Sequence, residues 1–345
     1  MVKSDPFRQS LAVMIGIDAY QSVPPLRNAV SDALAIGRLL QQEHGYRVLY
    51  CLNEEATLAR LRALLELLPQ QLGSEDRLLL YFAGHGVTEE SSPPAPGSES
   101  FDEGPQGYLI PQDAAPGNAQ TFLAMHDMYR RMCRLACRHC LLILDCCFAG
   151  AFRWSGRRGA PGIRRRRLYR ERYERYVRES AWQVLTSAAH DERALDVLDG
   201  RVIGARQGSG TVHSPFAAAL LRALSGAADE NGDGIMLASD LYGYVESHFA
   251  TLEQKAERPF QRPALSTLRI RDKSEYFFFN PQTPPKLESA VRLNAAHNPY
   301  RGLQEYRKSD HELFFGRDQL VAELLQRVQS SWLIVVLGSS GVGKS

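Results

Sequence analysis

Short, unbroken apolar runs recur along the chain, and most are followed by stretches whose apolar residues fall three and four apart. The runs lie at 11–17, 46–52, 76–83, 140–146 and 182–189. Runs this short, apolar at nearly every position, predict strands buried on both faces of a parallel sheet. The intervening spacing predicts helices over 28–43, 56–72, 121–138, 215–224 and 237–249. Residues 107–111 read as a short extended piece, 276–279 as an edge strand, and the Pro- and Ser-rich 91–100 as a loop. Strands alternating with helices define an α/β fold with a mostly parallel central sheet between helical layers.

The pattern changes near residue 280. Residues 281–299 are linker-like, so residues 1–280 form one domain and 300–345 begin a second. The second ends on an apolar run, 331–337, that leads into Gly338-x-x-x-x-Gly343-Lys344-Ser345. A phosphate-binding loop after a strand has this form. Gly338, Gly341 and Gly343 free the backbone to cradle phosphates, Lys344 neutralises charge and Ser345 reaches magnesium. ATP and magnesium are expected only for a complete NTPase domain. Within these 345 residues the following helix and a magnesium-holding acid are missing, so no nucleotide hydrolysis is expected from this segment.

Composition narrows the class. Apolar residues make up 44% and charged residues 23%, as in water-soluble globular proteins. No apolar run approaches the roughly 20 residues of a membrane span. The run at 11–17 is flanked by Asp5 and Asp18 and lacks a cleavage site, so it reads as a strand rather than an export signal. Six cysteines in such a chain are expected to stay reduced, which implies a cytoplasmic location.

The candidate chemistry lies at the ends of two runs. His85 stands between glycines in YFAGHG, and Cys146 and Cys147 follow Asp145 in LLILDCCFAG. Sites in open parallel sheets form beyond the carboxyl ends of strands. A cysteine and a histidine brought there by neighbouring strands make a nucleophile and its base. The Gly86 and Cys147 amides are candidate donors to a developing oxyanion. Alternation along a strand requires the two thiols to face opposite ways, but does not say which one attacks.

YFAGHG and DCCFAG, together with LRNAVSDA, TSAA, HSPFAAALLRAL, DENGDG and QRP, resemble the caspase-like cysteine peptidases, in particular the metacaspases and their bacterial relatives. The resemblance spans about residues 10–280. It implies a caspase-like three-layer sandwich and a Cys147–His85 dyad that needs no cofactor. Cys147 falls two residues after Asp145, where the family's nucleophile stands. Phe148 and Ala149 occupy positions where His and Ser are frequent in the family. The resemblance also implies that Asp32 and Asp145 line the pocket for the residue before the cut bond, so that protein or peptide substrates are cleaved after Arg or Lys. Some relatives need calcium. Residues 298–345 resemble the opening of STAND-type signalling NTPases. That implies an effector protease gated by a nucleotide-dependent, oligomerising region, in a cell-death or defence response.

One region departs from the even charge. Between residues 151 and 180 eleven arginines face three glutamates, while the whole chain carries only +2. By resemblance, Arg164, Arg165, Arg166 and Arg167 are candidate sites of self-cleavage. The competing reading is a non-catalytic scaffold whose arginines, interleaved with Tyr169, Tyr173 and Tyr176, bind nucleic acid or another acidic partner. With both catalytic residues present, nucleic acid is not the expected partner. Cys133, Cys137 and Cys140 have an iron–sulfur-like spacing, but on a predicted helix they share a face and read as core. The stretch 229–240 nearly matches a calcium loop, yet reads as a turn and helix cap. No metal site is assigned.

Overall fold

The computed structural model describes residues 5–89, 106–146, 168–188, 197–198, 201–202, 213–256, 262–269, 272 and 274–290, and a few positions beyond (307–308, 321, 324–325, 327–329 and 333–335). The chain divides into two compact units, Met1–Glu288 and Ser289–Ser345.

The first unit runs β1 (Ser10–Gly16), α1 (Ala29–His44), β2 (Arg47–Leu52), α2 (Leu58–Gln71), β3 (Arg77–Ala83), β4 (Gly86–Glu89), β5 (Gln106–Leu109), β6 (Leu123–Ala124), α3 (Met125–Met132), β7 (His139–Asp145), α4 (Arg170–Arg178), β8 (Ala181–Thr186), β9 (Val197–Leu198), β10 (Arg201–Val202), α5 (Pro215–Arg222), β11 (Ile235–Leu237), α6 (Ala238–Ala256), β12 (Ala264–Thr267) and β13 (Phe277–Phe279). Six strands form the central sheet in the order β12-β8-β7-β3-β1-β2. All pair in parallel except β12, which runs antiparallel to β8.

Four of the five apolar runs have the predicted cause, whereas β2, at the edge of the sheet, alternates between exposed and half-buried positions with only Cys51 buried. β1 and β3 are buried at every position, because helices cover both faces. Side chains alternate between two cores. Leu11, Val13, Leu78, Leu80, Leu142 and Leu144 pack with residues of α2 and α3. Ala12, Met14, Leu79, Tyr81, Leu141 and Ile143 pack with α1, α5 and α6. The three-layer α/β sandwich read from the sequence is present. β4, β5 and β6 form a separate small antiparallel sheet beyond the end of β3.

Several local readings need correction. The helix expected over 121–138 is only α3, because Leu123 pairs with Leu109 before it and the chain turns at Cys133 after it. Cys133, Cys137 and Cys140 therefore share no helical face. Cys137 and Cys140 are buried in the core, and the carbonyls of Cys133 and Leu135 accept from Arg269, whose guanidinium lies 3.5 Å from the Trp182 ring centroid. The strand at 276–279 is not an edge of the central sheet. β13 pairs antiparallel with β11, and Phe277 and Phe278 are fully buried.

Part of the basic region is helical. Residues 170–178 form α4, whose apolar side packs Tyr173, Tyr176 and Val177 against Phe7, Ile235 and Phe277. Tyr176 is buried and so cannot stack on a base, and Tyr173, half-buried, meets Phe277 edge-on and Phe279 at a tilt. The segment assigned to a linker also begins as part of the first unit. Lys286 N–H donates to the Asp233 carbonyl, Arg170 N–H to the Glu288 carbonyl, and Gln282 Nε2 to the Ser225 carbonyl.

The turn at 229–234 spends its acids on backbone N–H groups. Asp229 accepts from Asp233 and Gly234, and Asp233 from Ile235 and Leu168. Gly232 and Gly234 take positive φ, as this tight turn requires. Among the described residues no group of three or more His, Cys, Asp or Glu is placed to hold a metal ion.

In the second unit the residues expected to lead into the phosphate loop, Leu333 to Val335, carry no strand. A strand needs a neighbour to bond, and the described residues of this unit supply none. Gly338, Gly341, Gly343, Lys344 and Ser345 lie outside the described residues. Among the described residues no helix is long and apolar enough to cross a membrane.

Two buried histidines make the first unit acid-sensitive. Burial lowers His139 from 6.5 to about 3 and His44 to about 4. Their neutral forms donate Nε2–H to the carbonyls of Tyr176 and Leu224. Both folded values lie below the unfolded one. Their contribution is therefore complete above pH 6.5 and declines as pH falls below it. Asp240 works in the opposite sense. Burial, with Glu275, Asp233 and Asp229 nearby, raises its carboxyl to about 7, so its cost is relieved as pH falls from 7 toward 4. His139→Gln keeps a donor but gains no proton. The fall in Tm between pH 7 and pH 5 is expected to be roughly 4 °C smaller in this variant, about 2 kcal/mol. An unchanged slope in thermal melts would refute the assignment.

Candidate active site

The site lies beyond the carboxyl ends of β1, β3 and β7. β2 lies on one side of β1 and β3 on the other, so the strand order reverses here, where sites form in open α/β sheets. β3 and β7 end level, with Ala83 paired to Asp145. His85 and Cys147 each follow two residues after one member of that pair. Cys147 itself, with residues 148–167 and hence Arg164, Arg165, Arg166 and Arg167, lies outside the described residues.

His85 is held from three sides. Its Nε2 lies 2.8 Å from the Pro24 carbonyl oxygen, its backbone N–H donates to the Tyr20 hydroxyl at 2.8 Å, and the Tyr20 ring lies 4.9 Å away, centroid to centroid. A carbonyl only accepts, so Nε2 carries a proton, and in the tautomer with one proton the lone pair is on Nδ1. The loop that supplies Pro24 and Tyr20 is itself anchored. Asp18 accepts from Ala29 and Val30 N–H at the start of α1, and its own N–H and that of Ala19 donate to Asn53 Oδ1.

The two glycines have different uses. Gly84 leaves room for Tyr20 rather than for substrate, since a Cβ there would stand 2.7 Å from Tyr20 Oη and 2.9 Å from Phe82 Cζ. Gly84→Ala is expected to displace Tyr20 and release the His85 N–H, with the fold retained and, if the site is catalytic as proposed below, kcat lowered about a hundredfold. Steady-state kinetics beside a circular-dichroism melt check this; unchanged kcat refutes it. Gly86 opens β4. Ile110 N–H bonds the His85 carbonyl, so Gly86 and Leu109 form a non-hydrogen-bonded pair. The Gly86 N–H therefore points away from β5, at the free edge of this small sheet.

The two acids come together through one residue. Ser214 N–H lies 3.3 and 3.2 Å from the oxygens of Asp32, and Ser214 Oγ lies 3.1 Å from Asp145 Oδ2. Ser214 also caps α5 by accepting from Ala217 N–H. Tyr81 Oη donates to Asp145 Oδ2 at 3.3 Å, and His213 Nδ1 lies 2.8 Å from Asp32 Oδ1. Asp32 is fully buried, whereas Asp145 is partly exposed.

Cys146 is 3% exposed and packs in the core with Leu142 and Leu144. Burial pushes the Cys51 thiol up to about 11 and raises that of Cys140, which also bonds Cys137. Neither is a poised nucleophile. Sequence reasoning missed Pro24, Tyr20, Ser214 and His213. Pro24 acts through its carbonyl, which leaves no trace in residue type. Ser214 did carry a signal, since Ser-Pro ahead of an apolar helix is a start motif.

The caspase-domain profile (Caspase domain) matches residues 9–273, more than half of the chain. The chain thus belongs to the caspase-domain family, and its first unit has the fold of caspase- and metacaspase-type peptidases. The profile described as Novel STAND NTPase 1 matches residues 299–345, after the caspase-domain match. Similar solved structures include a protein from Geobacter sulfurreducens, 15% identical over 74% of this chain and 92% of its own, with a TM-score of 0.45. Another is Caspase-1 from Spodoptera frugiperda, 13% identical over 85% of this chain and 98% of its own, with a TM-score of 0.49. No curated protein matches the chain.

Proposed function

We propose that the first unit is a cysteine endopeptidase in which Cys147 attacks and His85 is its base. The observation that carries this reading is the bond from His85 Nε2 to the Pro24 carbonyl, beside a strand pair that ends level. It fixes the tautomer and turns a lone pair to Nδ1, as a third group does in a catalytic triad. Nδ1 takes the thiol proton, and the thiolate adds to the scissile carbonyl carbon. The Gly86 N–H, unused in its ladder, and the Cys147 N–H donate to the oxyanion. The intermediate then breaks its C–N bond, and the imidazolium returns the proton to the leaving amine. Water, deprotonated by His85, releases the acyl group from sulfur.

Asp145 and Asp32, tied by Ser214, form an acidic pocket that selects Arg or Lys before the cut bond. Arg164, Arg165, Arg166 and Arg167 then make the chain its own substrate, at an effective concentration up to about millimolar. The STAND-type segment gates the protease and, in a complete NTPase region, assembles copies of it. The scaffold alternative loses support from the burial of Tyr176, one of the three tyrosines that would stack bases. Fluorogenic peptides ending in Arg, Lys or Asp test the reading, with and without calcium. Cleavage after Arg is expected to exceed cleavage after Asp at least about a hundredfold; equal or reversed preference rejects the pocket assignment. Mass spectrometry of the purified chain is expected to find ends within residues 164–168.

A further inference from the structure

We propose that His213 is a specificity-determining residue: its imidazole holds the place on Asp32 that the cation of a basic substrate side chain takes, and must leave before Asp32 joins in recognition. This rests on the peptidase reading above and names how its pocket works.

Asp32 has no exposure, so no substrate group reaches it in this arrangement. Its Oδ1 is bonded by His213 Nδ1 at 2.8 Å. The His213 side chain is 27% exposed, so the imidazole touches solvent at one side and the buried acid at the other. Ser214, the next residue, holds Asp32 through its N–H and Asp145 through its Oγ. The covered acid and the partly exposed acid are thus separated by one small side chain. A substrate cation meets Asp145 first, and Asp32 second.

Moving the imidazole aside costs little only when something replaces it. A guanidinium supplies a charge-assisted donor to Oδ1 while Ser214 keeps its own bonds, so the buried carboxylate stays satisfied. An apolar side chain supplies no donor and would cost Asp32 the bond that His213 gave it. A carboxylate side chain meets two like charges. His213 thereby makes entry to the deeper half of the pocket conditional on a multi-donor cation.

His213→Ala removes the competitor, and His213→Asn leaves a side-chain N–H donor for Asp32. In the full chain, His213→Ala is expected to lower KM for an Arg-ended peptide about tenfold with kcat unchanged, and to tighten binding of agmatine, a bare alkyl guanidinium, by a similar factor in calorimetry. His213→Asn is expected to behave as wild type, and adding Asp32→Asn to His213→Ala to erase the gain. If wild type cleaves after Arg but His213→Ala leaves KM unchanged, or lowers kcat and raises KM as a structural role would, the inference is overturned and the peptidase reading stands. If no variant cleaves any peptide, the peptidase reading fails. Agmatine then decides the pocket alone: tighter binding to His213→Ala supports this role for His213, and equal binding rejects it. Failure of His213→Ala to fold, with His213→Asn folded and identical to wild type in agmatine binding, would mark the contact as structural and overturn the inference.

Discussion

Cys147→Ala is expected to cleave an Arg-ended peptide at least about a thousandfold more slowly than wild type, and His85→Ala to lose nearly as much. A thiolate and its base act as one unit, so removing either removes most of the chemistry, and the double variant should be little worse than the singles. Cys146→Ala separates the two adjacent thiols. Cys146 fills a 3%-exposed position among Leu142, Leu144 and their neighbours, so its loss should lower Tm by a few degrees and leave kcat within about twofold. Steady-state kinetics and alkylation with iodoacetamide read the three variants together. Activity that survives in Cys147→Ala and disappears in Cys146→Ala would reverse the register of the nucleophile.

The largest stability effect is expected at the opposite end of the sheet, at Arg77. This guanidinium is 2% exposed at the start of β3. Nε donates to Ser10 Oγ at 2.7 Å, Nη1 to the Phe277 carbonyl at 3.0 Å and Nη2 to Asp5 Oδ2 at 3.3 Å. Its carbon lies 4.8 Å from the Phe7 ring centroid and 4.6 Å from that of Tyr46. One side chain therefore joins the N-terminal segment, β1 and β13. Arg77→Ala strands the Phe277 carbonyl, breaks the ion pair and leaves a cavity between two rings. The expected cost is about 3–5 kcal/mol, roughly 10 °C or more in Tm. Arg77→Lys restores one charge but not the planar fork, so it should recover less than half. Denaturant unfolding of both variants measures this. A loss below about 1 kcal/mol for Arg77→Ala would mean that the cluster is not a keystone of the amino end.

How far the sequence carried the fold follows from burial. β1, β3, β7 and β8 are covered on both faces, so each left an apolar run that cannot be mistaken for a half-buried helix face. β11 and β12 are three and four residues long, and β12 mixes Ser and Thr with Ala and Leu, so they left none. α4 was hidden by its arginines: its mean character is strongly polar, and only Tyr173, Tyr176 and Val177 face the core. The reverse error produced the overlong helix around α3, because helical spacing continues through Cys133 and Cys137 although the backbone does not. In the site, the placement of His85 and Asp145 beside neighbouring strand ends was legible because strand ends in a parallel sheet are aligned by register, while the pocket role of Asp145 came only from the family resemblance. The depth of Asp32 was not legible, since its bonds to His213 and Ser214 span 181 and 182 positions of sequence.

Residues 281–288 alter where this domain can be cut. The last strand ends at Phe279, and a fragment designed to stop there would look complete by secondary structure. It would nonetheless lose the partners of the Asp233 carbonyl and the Arg170 N–H, and with them the bonds that brace α4 beside the turn gripping Leu168 N–H. The smallest piece that preserves the far border of the basic segment ends at Glu288, nine residues past the final β-bridge.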